Sequence, residues 1–158
     1  VQVPKVNVRP TQAVVRKSMF DILGNLEGFN VLDIYSGVGT LGIESLSRGA
    51  KSLISVEKDK YTYKVLRENL EIICNEDNIE SYNMDVNQFL KFNNCQFDLI
   101  IADPPYKIDN YDYLRKKSEV ILNSGGILCV EMKKKNILNK NVRIRIFGKT
   151  QLVFWRKK

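Results

Sequence analysis

Two rhythms of apolar residues run along the chain. Over residues 11–26, Val15, Met19, Ile22 or Leu23 and Leu26 recur at helical spacing, which predicts an N-terminal helix with Thr11 as its N-cap after Pro10. From Gly28 onward, short apolar runs alternate with amphipathic stretches. A strand over 31–35 leads into a glycine-rich turn and a short helix over 40–48 that Gly49 ends. The alternation continues with strand 53–57, helix 60–74, strand 79–84, helix 86–91 and strand 97–102. After a Pro-Pro loop come helix 111–122, turn 124–126 and strand 127–132. Such repeated alternation predicts a mostly parallel sheet with helices on both faces. The last two apolar runs, 142–147 and 150–156, break the pattern. Gly148-Lys149 between them reads as a tight hairpin, so an antiparallel pair finishes a seven-stranded sheet. Within it Phe154 and Trp155 alternate faces, which predicts one in the core and the other at the surface. No repeat, low-complexity tract or linker divides the chain, so residues 1–158 are read as one Rossmann-like, three-layer α/β domain.

Composition removes several classes. A chain of 158 residues with 44% hydrophobic and 27% charged side chains is ordinary globular material, neither disordered nor collagenous nor coiled-coil. No apolar run approaches the roughly 20 residues of a membrane helix. Residues 1–10 lack the apolar stretch of a signal peptide, and the opening on Val1 without Met reads as a trimmed N-terminus. Cys74, Cys95 and Cys129 are too far apart for a Cys-x-x-Cys pair; they are read as small core residues in a reducing compartment. With no histidine, a Ser-His-Asp triad is impossible and a zinc site of the usual ligands is not expected, so no metal is assigned.

The net charge of +7 is unevenly placed. Residues 1–79 carry 10 Lys+Arg against 10 Asp+Glu, whereas residues 80–158 carry 15 against 8. That asymmetry suggests a polyanionic partner, although runs such as 115–117, 133–135 and 156–158 also suit solvated edges and a basic tail.

Candidate chemistry lies at successive strand ends. Gly37-Val38-Gly39-Thr40-Leu41-Gly42 matches G-x-G-x-x-G between a predicted strand and helix, a pattern that seats a nucleoside cofactor. A carboxylate at Asp33, facing that pocket, would repel the pyrophosphate of a nicotinamide dinucleotide and attract the ammonium group of S-adenosylmethionine. Glu57, ending the next strand, is spaced to accept from ribose hydroxyls. Asp85, after the third, could accept from an adenine amine. Ser36, Gly37 and Gly39 of the loop, with Lys58 and Val86 beside the two acids, complete the candidate donor set. Asp103-Pro104-Pro105-Tyr106 follows an apolar strand, and its prolines stiffen the loop, remove two backbone donors and leave carbonyl acceptors. A nucleobase amine is a poor nucleophile because its lone pair is delocalised into the ring. If Asp103 and the Pro104 carbonyl accept its two hydrogens, the lone pair can turn toward a methyl donor while Tyr106 stacks on the extruded base.

Taken together, these residues resemble the RsmD-type ribosomal RNA methyltransferases, which methylate the exocyclic amine (N2) of a guanine in small-subunit 16S rRNA. Arg9-Pro10-Thr11 with Val15-Arg16 and Phe20 resembles the opening signature of the family. Leu32-Asp33-Ile34-Tyr35-Ser36-Gly37-Val38-Gly39, Gly42-Ile43-Glu44 and Leu46-Ser47-Arg48-Gly49-Ala50 resemble its donor loop and following helix. Val56-Glu57, Asp103-Pro104-Pro105-Tyr106 and Phe147-Gly148-Lys149-Thr150 complete the match. Tyr35 stands where Phe is common, and Val38 replaces a small residue. The resemblance implies a class I methyltransferase fold with S-adenosyl-L-methionine as donor and ribosomal RNA or the small subunit as partner. It also implies residues 1–26 as a substrate-side segment and helix, with Arg9, Thr11 and Pro105 touching the substrate. A cytoplasmic monomer with no membrane association is expected, or an organellar one if the source is eukaryotic. The competing readings are a DNA adenine amino-methyltransferase, a catalytically silent RNA-binding module of the same fold, and an NAD-linked reductase.

Overall fold

A computed structural model describes residues 13–73 and 78–158. The first helix, α1 (Ala13–Leu23), buries Val15, Met19 and Phe20. It stops earlier than its apolar spacing suggests. Gly24 adopts a left-handed conformation (φ +75°) and donates its N–H to the Phe20 carbonyl at 2.9 Å, a glycine stop. Leu26 is therefore buried from the loop beyond the helix and not on its face. Thr11, the expected cap, lies outside the described residues.

The remaining elements are β1 (Asn30–Ile34), α2 (Thr40–Ser47), β2 (Ser52–Glu57), α3 (Lys60–Ile73), β3 (Ile79–Asn83), α4 (Val86–Phe92), β4 (Phe97–Ala102), α5 (Tyr111–Ile121), β5 (Leu122–Lys133), β6 (Val142–Phe147) and β7 (Thr150–Arg156). They form one seven-stranded sheet in the order β3-β2-β1-β4-β5-β7-β6. Its first five strands pair in parallel, and β7 runs antiparallel to both β5 and β6. The hairpin closes at Gly148-Lys149, with Phe147 opposite Thr150.

Two departures from the sequence reading concern the second half. Residues 124–126 are an irregularity inside β5 and not a free turn: Leu122 already pairs with Phe97, the register slips, and pairing resumes at Leu99 with Ile127, with Gly125 at φ +77° absorbing the extra chain. Phe154 and Trp155 are both buried, because β7 is an interior strand flanked by β5 and β6 and covered on both faces. The cysteines also divide. Cys129 is buried in β5, Cys95 is exposed, and Cys74 lies outside the described residues.

Two apolar layers sandwich the sheet. On one face Leu32, Ile34, Ile100, Val130, Val153 and Trp155 meet Phe89 of α4 and Leu114 of α5. On the other, Val31, Ile101, Cys129, Leu152 and Phe154 meet Met19 and Phe20 of α1 and Leu66 and Leu70 of α3. Each fully buried Leu or Ile contributes on the order of 1.5–3 kcal/mol, so this double layer fixes where the strands end. Chain order reverses between β1 and β4, which opens a crevice outside their carboxyl ends, where ligands bind in open α/β sheets.

Candidate active site

The loop from β1 to α2 is assembled around carboxylates and backbone N–H groups. Asp33 is 1% exposed on β1 and accepts from the Gly42 N–H at 3.0 Å through Oδ2. The fit is tight, since a Cβ at position 42 would lie 3.0 Å from that same oxygen and from Leu53 Cδ2. Burial pushes the Asp33 carboxyl up to about 8; the Gly42 N–H opposes the shift, and the charges of Asp103 and Glu57 add to it. The sequence reading has an ionised carboxylate here that faces the pocket. In the structure Asp33 lies beneath the first turn of α2, where burial favours its protonated form.

Ser36 also acts on the fold more than on open space. Its buried hydroxyl donates to the Asp33 carbonyl at 2.6 Å and accepts from the Val56 N–H at 2.9 Å, while its own N–H donates to the Val56 carbonyl at 3.0 Å. The ends of β1 and β2 are thereby clipped together. Gly37 and Gly39 follow with φ of +57° and +92°, a double left-handed turn that keeps the loop backbone bare of side chains. Glu57, half-buried at the end of β2, accepts from the Gly37 N–H at 2.9 Å and the Asp59 N–H at 2.8 Å, one on each carboxylate oxygen. Burial raises its pKa and those N–H bonds hold it down. Each oxygen retains a lone pair that can accept a hydroxyl.

Asp85 caps α4 by accepting from the Asn87 N–H at 2.8 Å and lies 3.6 Å from the ammonium of Lys58. Lys58 is thus an exposed partner of Asp85. Val86 is 3% exposed and packs its side chain into the core, so it can only be floor beneath a ligand.

The second wall is the loop after β4. Asp103 is half-buried, Pro104 buried, and Pro105 and Tyr106 exposed; the Pro105 carbonyl accepts from the Ile108 N–H at 2.8 Å, which curls the loop back. Three ties hold it. The Tyr106 hydroxyl bonds the Thr150 hydroxyl on β7, Asp109 pairs with Lys135 at 2.6 Å, and the Asn110 side-chain amide donates to the Tyr35 hydroxyl at 2.8 Å. Lys133 lies 5.8 Å from the centroid of the Tyr106 ring. Asn110 stands at the N-cap of α5 yet makes no side-chain cap bond, its amide being directed at Tyr35 instead. Tyr35 itself has φ +60°, a strained conformation for a residue with a side chain. This pair joins the glycine loop to the Asp103 loop.

The structure therefore gathers Asp33, Ser36, Gly37, Gly39, Glu57, Asp85 and Asp103 at the carboxyl end of the sheet. Arg9 and Thr11 lie outside the described residues. Sequence reading assigned no site role to Asn110, Thr150 or Lys133, which act across long sequence separations, nor to Glu131. An acid within the apolar run 127–132 was the available signal; Glu131 is 1% exposed, and burial first and then the charges of Glu131 and Asp103 raise the thiol of Cys129.

These residues suit a donor that carries no phosphate. The loop 36–42 holds no cation to meet a pyrophosphate, and the acids Asp33, Glu57 and Asp85 surround it. Among the described residues, no helix is long and apolar enough to cross a membrane.

Comparisons with known proteins give the family and the fold. The profile of the family described as Conserved hypothetical protein 95 matches residues 1–156. A Buchnera aphidicola protein named Ribosomal RNA small subunit methyltransferase D is 31% identical over 140 residues, covering 85% of this chain and 69% of its own length. A solved structure named as a putative methyltransferase from Escherichia coli superposes with a TM-score of 0.88 at 24% identity, covering 100% of this chain and 91% of that one. A putative SAM-dependent methyltransferase from Streptococcus mutans superposes with a TM-score of 0.72 at 17% identity, over 90% of this chain and 48% of that one.

Proposed function

From a chain that belongs to the Conserved hypothetical protein 95 family of RsmD-type methyltransferases, we propose an enzyme that moves a methyl group from S-adenosylmethionine to the exocyclic amine (N2) of a guanine in small-subunit ribosomal RNA. The observation that carries the reading is the convergence of three strand ends. Asp33 on β1 stands in register between Ser55 of β2 and Ile101 of β4, two residues before Glu57 and Asp103 respectively, so these acids flank one crevice at the carboxyl end of the sheet.

When bound, S-adenosylmethionine supplies an electrophilic methyl on a cationic sulfur. The protein supplies position. Glu57 accepts from the ribose hydroxyls, and the bare backbone of Gly37 and Gly39 lets the donor approach closely. Asp85 accepts from the adenine amine, with Lys58 alongside, and Ser36 and Val86 shape the floor. Asp103 and the Pro104 carbonyl hold the two hydrogens of the guanine amine, which turns its lone pair toward the methyl carbon, and Asp103 stands where the amine sheds its proton. Tyr106 stacks on the extruded base, with Pro105 beside it. Arg9 and Thr11, in the substrate-side segment 1–26, complete the substrate contacts. The chain works as a single catalytic domain, a monomer, in the cytoplasm where small subunits are built.

The test is incubation with methyl-labelled donor and separate samples of small-subunit rRNA, small ribosomal subunits and DNA, followed by nucleoside analysis. Labelled N2-methylguanosine from the ribosomal samples alone is expected. Label in adenine of DNA, or none anywhere, would contradict the reading.

A further inference from the structure

Beside the Asp103 loop, the end of the sheet carries a row of lysines from three separate segments. Lys133 ends β5 and reaches over the Tyr106 ring, and Lys107 follows Tyr106 in the loop itself. The Lys134 N–H donates to the Lys149 carbonyl at 2.8 Å, which places the β6–β7 turn directly against the end of β5. All four lysines are exposed, and among the described residues none of them makes an ion pair, whereas their neighbour Lys135 is neutralised by Asp109. The carboxylates of this region, Asp103 and Glu131, lie deeper. The excess positive charge of residues 80–158 is thus brought partly to one rim of the crevice by strand order.

We propose that Lys107, Lys133, Lys134 and Lys149 form a phosphate-binding rim that grips the RNA backbone flanking the target nucleotide, so that the base enters the crevice from the β5–β7 side. The inference rests on the methyltransferase reading above and adds the direction of substrate entry. Point charges on flexible stems suit phosphates, which carry no sequence information, and so position the strand without selecting it. Because Thr150 on β7 holds the Tyr106 hydroxyl, the hairpin that presents Lys149 also fixes the stacking side chain. The turn that carries Lys149 therefore stands at a fixed offset from the Tyr106 ring, and the lysine stem spans the remaining distance to a phosphate.

The experiment compares the full chain with the double variant Lys134→Glu/Lys149→Glu, and with Lys60→Glu/Lys64→Glu on α3 as an equal charge change remote from the rim. Small-subunit rRNA binding is titrated at several salt concentrations, alongside S-adenosylmethionine binding, melting temperature and methyl transfer. The rim variant should lose roughly tenfold or more in RNA affinity, and the slope of log affinity against log salt should fall by about 1 per lysine. Its donor affinity and melting temperature should match the parent, and the α3 variant should bind RNA much more nearly as the parent does. Equal loss in both variants would overturn the rim in favour of general charge, and no loss at Lys134 and Lys149 would overturn it outright. Both outcomes leave methyl transfer by the parent chain intact, which separates failure of the rim from failure of the enzyme reading.

Discussion

The Tyr106 hydroxyl and the Thr150 hydroxyl are hydrogen-bonded across 44 positions of sequence, tying the loop after β4 to the first residue of β7. An aromatic platform for a base needs its ring fixed before the base arrives. Thr150 provides that restraint from an interior strand, which is itself paired on both sides.

Removing either hydroxyl should therefore have the same effect. Thr150→Val and Tyr106→Phe are each expected to raise the KM for RNA several-fold, with a stability loss of about 0.5–1.5 kcal/mol. Combining them should add little, because one interaction cannot be lost twice. A double-mutant cycle of transfer rates and melting curves measures this, and full additivity would show the two side chains acting separately. Tyr106→Ala should cost more, by the roughly 1–3 kcal/mol of a base stack.

Asp33 makes a pH prediction. Its folded pKa, raised by burial to about 8, lies above the ordinary value of 3.8, so between these limits the folded state holds a proton that the unfolded state has released. Stability conferred by this residue is full below about pH 4 and declines as pH rises toward 8, by at most about 1.4 kcal/mol per pH unit. Asp33→Asn, which keeps an acceptor for the Gly42 N–H, should flatten that decline. Denaturant melts between pH 5 and 8 provide the comparison; an unchanged slope would mean that the carboxyl is ionised in the folded protein.

Ser36→Ala should destabilise the chain by about 1–3 kcal/mol, since the Val56 N–H loses its buried acceptor and the Asp33 carbonyl its donor. The loop from β1 to α2 loosens with it, so S-adenosylmethionine affinity should fall as well. Calorimetry and melting of the same preparation check both effects.

Gly39→Ala should be harmful for a different reason. The residue sits at φ +92°, and an added Cβ would meet Leu66 Cδ1 at 2.6 Å. About 1–3 kcal/mol of strain and repacking is expected, measured as a lower denaturation midpoint. A midpoint within experimental error of the parent would show that the loop can take another path.

The order of elements was legible in the sequence because each strand's apolar run is bounded by turn residues and each helix has a one-sided apolar stripe, as at Val15, Met19 and Leu66. Boundaries were legible only where a local signal coincided with them. Gly24 ends α1 three residues before the apolar spacing does, and the bulge around Gly125 looks like an ordinary turn until Leu122 is seen pairing with Phe97. The burial of both Phe154 and Trp155 depends on β7 lying inside the sheet, which alternation along one strand does not encode. At the site, residue types and strand ends brought Asp33, Glu57 and Asp103 to one end of the sheet, but depth was invisible: whether Asp33 faces the pocket or lies under α2 is decided by Gly42, nine positions away and in another element. The contacts of Asn110 and Thr150 had no local signature, because their partners Tyr35 and Tyr106 come from distant segments.

The central claim is a division of labour in which the strand-end loops hold the donor and Asp103 holds the acceptor amine. Measuring S-adenosylmethionine affinity and single-turnover methyl transfer on small-subunit rRNA for Asp103→Ala, in one preparation, tests it most directly. Transfer should fall by at least about 100-fold while the donor dissociation constant stays within about twofold of the parent. Undiminished transfer, or a loss explained wholly by weaker donor binding, would contradict it.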